Sequence, residues 1–372
     1  MTRPLRVGLI GAGSSRTWAA RAHIPALRAV PDMRIAAVAT TRAQSAAAAA
    51  RLTGAEHAFT DGRTLAAHPD VDIVAVVVKV PAHRELVGAA LAAGKHVYCE
   101  WPLAANLGDA VKLRDEAVRA DVVHMIGLQG RHSPELNFVR DLVRDGFVGR
   151  VLSCNLRHST GHRGGSRVSA DAVWGLDRAR GRNLLTIQGG HSIDALCYCL
   201  GAGFDALSAL VATRTPEATV IETGETVHVD APDQVMVAGE LHGGVSTSVH
   251  LQGGAPAMAG FRLDIHGDGG ALSLSGAGAH NSDLVLTSMI DGHPAEEIAV
   301  PDRYFSGAPG LPPNPAGNVA RQYLSLAGQI RDGRVTGPSF GDAVAVHQLL
   351  HAIQASSDTG CRATIPTTEA WT

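Results

Sequence analysis

The first 130 residues alternate short apolar runs with longer helical stretches, and this alternation constrains the chain more than any other feature. Leu5–Ile10, Arg34–Ala39, Ile73–Val78, His96–Cys99 and Val122–Leu128 read as strands. Trp18–Ala29, Ala43–Leu52, Arg84–Ala93 and Leu107–Ala120 read as helices between them. Ile73–Val78 is Ile-Val-Ala-Val-Val-Val, with no polar alternation. A strand of that kind needs cover on both faces, which a parallel sheet with crossover helices provides.

After Gln129-Gly130-Arg131 the texture changes. A helix over Ser133–Arg144 leads to a strand at Val151–Arg157, a Gly/Arg-rich loop over Ser159–Arg182 and an apolar helix over Leu184–Leu200. Six β-like runs follow: Ala206–Ala212, Gln234–Leu241, Val245–Leu251, Arg262–His266, Ala271–Leu274 and Asp283–Thr287. Short turns join several of them, as in an antiparallel sheet. Helices over Asn318–Arg331 and Gly341–Ser356 close the chain. A length of 372 residues implies two domains, with boundaries at 1–130 and 131–372.

A net charge of −3 and dispersed Lys and Arg argue against a nucleic-acid partner. No apolar run approaches bilayer length, and the N-terminus enters a strand without a secretory signal, so no membrane association is expected. The five cysteines (Cys99, Cys154, Cys197, Cys199, Cys361) have irregular spacing and read as buried thiols in a reducing, cytoplasmic setting. The histidines show no metal-ligand spacing, and no metal is expected.

Gly11-Ala12-Gly13 follows a strand and precedes a helix. Such a segment is either a bare tight turn or a dinucleotide-binding loop, and its context favours the second. The first glycine permits the turn; the second lets backbone approach a pyrophosphate seated on helix N–H groups. Arg16 stands where the third glycine of the fingerprint would be, and either contacts phosphate or is solvated. Ser14 and Trp18 belong to the same predicted cofactor contact. The second strand ends in Thr40-Thr41-Arg42, without the carboxylate that usually binds both ribose hydroxyls. Thr40, Thr41 and Arg42 therefore point to NADP, with NAD the second choice, although Arg42 could instead cap the next helix.

With GLIGAG, the IVAVVV strand and following Val80-Pro81-Ala82-His83, AGKHVYCEWPLA, GLQGRHSP and LLTIQGGHSID in order, the chain resembles the glucose–fructose oxidoreductase/inositol dehydrogenase (Gfo/Idh/MocA) family over its whole length. The resemblance implies an α/β Rossmann domain plus an α+β domain with an open, mostly antiparallel sheet, the second for substrate binding and oligomerisation. It implies oxidation or reduction of a sugar or cyclitol carbon with NAD(P). Typical members carry Glu-Lys-Pro, whose lysine handles the substrate proton, helped by an Asp and a His four residues apart. Here the triplet is Glu100-Trp101-Pro102; His191 matches the histidine, and Ile187 stands in the aspartate place. Tryptophan exchanges no proton at neutral pH; its ring can stack and its N–H donate. The Trp-Pro variant resembles a divergent branch that includes a fungal NAD(P)-binding co-repressor of galactose genes.

His191 is the candidate acid/base, with a backbone-bonded core histidine, or one paired with Asp194, as the structural alternative. It follows Gly189 and Gly190, each about 1 kcal/mol less favourable than alanine in a helix, as would suit backbone passing close to a ligand. Trp101 and Lys79 complete the catalytic candidates; Lys79 could replace the missing lysine or simply snorkel. Val80, His83 and Glu100 join the cofactor side, with Glu100 fixing the turn before Trp101, where Pro102 raises the question of a cis bond. Arg131, Trp174 and Gln188 are substrate-binding candidates. Arg163, Arg167, Asp177 and Arg180 share the loop with Trp174, which either walls the pocket against an acidic or polyhydroxylated substrate or is solvated. Two functions compete: an NADP-dependent oxidoreductase, and a catalytically weak cofactor-binding regulator. An uncovered, apolar sheet face in the second domain would make either a homodimer or a homotetramer.

Overall fold

In a computed structural model, the structure describes residues 3–13, 17–290, 293–305, 310–366 and 370–371. The chain forms two compact units: Met1–His132 with Ser306–Val344, and Ser133–Phe305 with Ala345–Thr372.

In the first unit, β1 (Leu5–Ile10), β2 (Met33–Ala39), β3 (His57–Phe59), β4 (Ile73–Val76), β5 (His96–Glu100) and β6 (His124–Gly127) form one sheet in the order β3-β2-β1-β4-β5-β6. Every pairing is parallel. This is the doubly wound order of dinucleotide-binding sheets. β4 is buried at all four positions. Its helices are α1 (Ile24–Ala29), α2 (Ala43–Thr53), α3 (Gly62–Ala67), α4 (His83–Ala92) and α5 (Leu107–Ala120). Alanine propensity builds α2, and Gly54 in the left-handed region (φ 76°) ends it. The helix Ala316–Asp332 comes late in the chain, beyond residue 131, yet belongs to this unit. Its Val319, Ala320, Tyr323, Leu326 and Ala327 share one core with Leu9, Leu27, Ile73 and Tyr98.

Asp72 joins the starts of β1 and β4. Its carboxylate accepts from Arg6 N (2.9 Å), Arg6 Nε (3.1 Å) and Arg6 Nη2 (3.0 Å), while Asp72 N donates to Arg6 O (2.8 Å). Burial alone would raise its pKa, but the hydrogen bonds from Arg6, aided by Arg3, hold it down to about 2. A depressed carboxyl stabilises the fold above its unfolded pKa of about 4 and loses that contribution as pH falls through the folded value. Asp72→Asn should therefore lower stability by about 1–2 kcal/mol at neutral pH, after discounting for partial exposure. The gap in urea midpoints between wild type and variant should close between about pH 4 and pH 2.

In the second unit, β7 (Val151–Ser159), β9 (Phe204–Ala212), β12 (Gln234–Leu241), β13 (Val245–Gln252), β14 (Gly260–Gly267), β15 (Gly270–Gly276), β16 (Val285–Met289), β17 (Glu296–Glu297) and β18 (Ala363–Thr364) form a nine-stranded sheet. All its pairings are antiparallel except β7 with β13. β8 (Arg167–Val168), β10 (Glu217–Val220) and β11 (Thr226–His228) make a separate small sheet, so the Gly/Arg-rich segment is not one long loop. α6 (Pro134–Arg144) and α7 (Gly190–Leu200) pack on each other, and α7 also meets β7.

Strand alternation in the large sheet sends Cys154, Leu156, Thr247, Val249, Leu263 and Ile265 inward and Asn155, Arg157, Ser246, Ser248 and Arg262 outward. The outward face is thus more polar than the apolar face expected from sequence. Its apolar part centres on the cross-strand neighbours Leu210 and Met236, 45% and 48% exposed. Four cysteines are buried as expected, but Cys361 is exposed. No helix among the described residues is long and apolar enough to cross a membrane.

Candidate active site

Gly11 ends β1 with φ 114°, and a Cβ there would lie 2.1 Å from Val77 O. Only glycine fits that crossing of backbones. A Cβ on exposed Gly13 would meet nothing within 4 Å, so protein packing does not account for this glycine. The pair fits a dinucleotide: one residue makes the turn and the next leaves space above it. Ser14 and Arg16 lie outside the described residues. Trp18 opens a π-helical turn, Ala19–His23, before α1. Such turns are rare and concentrate at functional sites.

Thr40 is half-buried, and its hydroxyl meets Ser45 Oγ (2.7 Å) and Arg42 O (3.1 Å). Thr41 and Arg42 are exposed, and Arg42 sits at the N-cap of α2 without a side-chain capping bond. Lys79 is exposed just past β4, and Val80 is buried in the following 3₁₀ turn. His83 is buried with Nδ1 2.8 Å from Pro102 O and Nε2 3.1 Å from Val78 O. Burial lowers its pKa against the pull of the two carbonyls; both are acceptors, so the neutral ring donates to one of them and only packs against the other.

Trp101 is 4% exposed, and its bond to Pro102 is cis. Beneath it lies a polar network that includes residues the sequence did not single out. Glu100 Oε1 faces His23 Nε2 at 2.8 Å and accepts from Gln129 Nε2 at 2.9 Å. His23 Nδ1 lies 2.8 Å from Tyr323 Oη, and Tyr98 Oη donates to Gln322 Oε1 at 2.5 Å. Burial raises both tyrosines well above their usual pKa, so they stay protonated. The Glu100 carboxylate can only accept, so His23 Nε2–H donates to it. Desolvation would raise the Glu100 pKa, but donors led by His23, with Gln129 and Trp18, outweigh it and hold it below the usual range. Gly127 makes room, since a Cβ there would lie 2.9 Å from Gln129 Nε2 and 3.0 Å from Glu100 Cδ. Arg131 is nearly buried and pairs with Asp342 (2.8 Å), which also caps the closing helix through Ser339.

In the second unit, Asn183 caps a second π-helical turn, Leu184–Gly189, which runs into α7 and carries Ile187 and Gln188. A Cβ on Gly189 would lie 3.2 Å from Leu251 Cδ1. Its smallness therefore serves close helix-on-sheet packing. His191 is buried and stacks on His280, with centroids 3.7 Å apart and planes 7° apart. Burial, then His191, His158 and Arg163, push the His280 pKa well below its ordinary value, so that ring is neutral. His158, held near a pKa of about 4 by burial, lies 2.7 Å from Ser192 Oγ. Asp194, on the same helix, accepts from Trp371 Nε1 at 2.9 Å. Gln188 Oε1 accepts from Arg163 Nε at 2.8 Å, and Arg182 lies over half-buried Trp174, 5.3 Å from the ring centroid. Gln188, His191, Arg163 and His280 thus form one neighbourhood. His280 comes from a Gly/Ala-rich loop whose sequence carries no signal of this contact.

One group of metal-ligating side chains occurs among the described residues, His57, His68 and Asp70, with ligand atoms within 4.8 Å. Sequence spacing did not suggest it. His57 Nε2 lies 3.1 Å from Asp70, which also pairs with Arg6, and Asp70 N donates to His68 Nδ1 at 3.2 Å, so protein contacts hold the group together.

Comparison with known proteins agrees with this two-part architecture. Residues 5–128 match a family model described as an oxidoreductase family with an NAD-binding Rossmann fold, and residues 134–276 match the C-terminal domain of Gal80p. Dehydrogenase aclE of Aspergillus oryzae is 32% identical over 327 residues, covering 83% of this chain and 88% of that one. Levoglucosan dehydrogenase of Pseudarthrobacter phenanthrenivorans is 28% identical over 290 residues, covering 72% and 73%. The crystal structure of a super-repressor mutant of Gal80p from Saccharomyces cerevisiae superposes with a TM-score of 0.85 at 25% identity, covering 97% of this chain and 98% of that one.

Proposed function

Because the chain belongs to the Gfo/Idh/MocA oxidoreductase family, we propose that it is an NADP(H)-dependent oxidoreductase acting on a CH–OH or carbonyl carbon of a sugar-like small molecule. The observation that carries this reading is the buried His191–His280 stack beside Gln188. Histidine is the residue type most often used for proton exchange in catalysis, and this reading gives His191 that role where the family's lysine and aspartate are missing. Likeness to levoglucosan dehydrogenase supports a carbohydrate substrate.

NADP, when bound, supplies or accepts the hydride. Gly11 and Gly13 admit the pyrophosphate, and Thr41 and Arg42 at the start of α2 meet the ribose phosphate. Trp101, fixed from behind by Glu100 and His83, shapes an apolar wall and excludes water. His191 holds the substrate proton while His280, kept neutral, supports the ring from one side. Arg131, committed to Asp342, orients its segment more than it offers charge to substrate. Lys79 remains the alternative proton carrier.

Incubation with NADP(H) and a panel of sugars, cyclitols and carbonyl compounds, followed at the reduced-nicotinamide absorbance band, tests the reading. Dinucleotide binding without hydride exchange across the panel would favour a second reading, a cofactor-binding regulator of the Gal80 type. Trp101 in the lysine place and the Gal80p-type match over 134–276 favour that alternative.

NADP should bind more tightly than NAD. Arg42→Ala should narrow the gap by about fivefold, the equivalent of one exposed charged contact of about 1 kcal/mol. Calorimetric titration of both dinucleotides measures this, and tighter NAD binding would refute it. The outward face of the large sheet is the proposed self-association surface, giving a homodimer or a tetramer of dimers. Light scattering should give a mass of at least two chains for wild type and a lower mass for the Leu210→Lys, Met236→Lys double variant.

A further inference from the structure

The candidate substrate neighbourhood contains a half-buried cation, Arg163, whose Nη1 atom is fully enclosed and which has no counter-ion among the described residues. Arg163 donates through Nε to Gln188, but its Nη1 is buried without a hydrogen-bond partner. Asp233 packs against the adjacent Gly164, yet its two oxygens accept from Arg214 N (2.8 Å) and Thr215 N (2.9 Å). A second arginine, Arg182, is close enough to oppose the charge; burial, then Arg182, lower the Arg163 pKa to about 9. Arg163 also adopts φ 60°, a left-handed backbone that arginine rarely takes. Buried charges are normally paired, and strained residues of this kind persist where a site requires them.

We propose that this neighbourhood binds an oxyanion carried by the substrate, with the Arg163 guanidinium as its principal partner and Arg182 and the Gln188 amide beside it, so that the substrate class is an acidic sugar or polyol. The inference rests on the oxidoreductase reading only for the word substrate; the anion site stands on Arg163 itself. A guanidinium presents a planar fork that matches carboxylate or phosphate oxygens in pairs. Arg163 acts electrostatically on His280, and His280 stacks on His191, so an anion seated there lies in the same neighbourhood as the proposed proton carrier. A bound anion would neutralise the repulsion between the two arginines. The fork serves carboxylates and phosphates alike, and the source must be separated by experiment.

The test is calorimetric titration of NADP-loaded protein with hexuronates, hexonates and hexose phosphates, each against its neutral hexose or alditol. At least one acid should bind about tenfold or more tightly than its neutral counterpart, the equivalent of one charge-assisted bond. Preference for uronates or hexonates identifies a carboxylate, and preference for hexose phosphates a phosphoryl group. Arg163→Met should abolish the preference, while Arg163→Lys should keep part of it. Melting of the unsubstituted protein supplies a readout that needs no variant: the preferred acid should raise the midpoint where its neutral counterpart and sodium chloride at the same concentration do not. Equal binding of acids and neutral sugars, binding of neither, or retention of the preference in Arg163→Met overturns the proposal. Because the readout is binding, it can succeed where no hydride transfer is found, which would defeat the oxidoreductase reading alone.

Discussion

Once a substrate is in hand, His191→Ala is expected to lower turnover by about 10²–10⁴-fold, the usual contribution of a general acid–base group. NADP affinity should change little, since His191 belongs to the unit that does not carry the glycine loop. Trp101 cannot exchange a proton at neutral pH, and Ile187 has no proton to offer. Tyr98 is fully buried, donates to Gln322 and has its pKa pushed up by burial, so it is not an alternative. Lys79 is exposed past β4 and remains the next residue to examine. Trp101→Lys should not restore ordinary family activity, because Ile187 still replaces the aspartate and the new ammonium would sit in a buried position. Single-turnover and steady-state measurements on His191→Ala, with calorimetry for NADP, check the expectation. Near-normal turnover would remove His191 from the chemistry.

Much of the fold was legible because the decisive segments are long and strongly patterned. β1 at Leu5–Ile10, α5 at Leu107–Ala120 and β12 at Gln234–Leu241 have the bounds that their periodicity predicts. β3 is three residues long and only partly buried, and β8 has two, so neither offers a period to read. The helix Ala316–Asp332 shows apolar periodicity, but chain order gives no sign that it returns to the first unit. The candidate site divides in the same way. Gly11 and His191 lie in motifs that can be read locally. His280 and Arg163 become neighbours of His191 only when separate loops fold together, and His23 meets Tyr323 across 300 positions. Composition and spacing carry no record of such contacts.

Glu100→Ala is expected to destabilise the first unit by about 3–5 kcal/mol, the range for removing one member of a buried, hydrogen-bonded charge network. The carboxylate is the common acceptor for His23 Nε2 and Gln129 Nε2, while Tyr98 Oη, which gives its proton to Gln322, lies 3.3 Å from it. Its removal leaves donors buried without an acceptor, each costing about 1–3 kcal/mol before relaxation. The loss should spread to the cofactor side, because Glu100 immediately precedes Trp101 and His23 lies in the π-helical turn after the glycine loop. Glu100→Gln keeps the shape and one acceptor oxygen, and should fall between wild type and the alanine variant. Its pH dependence separates charge from packing. A carboxyl held below its usual range stabilises the fold above its unfolded pKa of about 4.3 and loses that contribution as pH falls through the folded value. The stability gap between wild type and Glu100→Gln should thus be greatest above about pH 5 and shrink on acidification. Urea denaturation across that range, followed by tryptophan fluorescence, measures both effects. A cost below about 1 kcal/mol for Glu100→Ala, or a gap that does not change with pH, would mean that the network is no more than a set of solvated contacts.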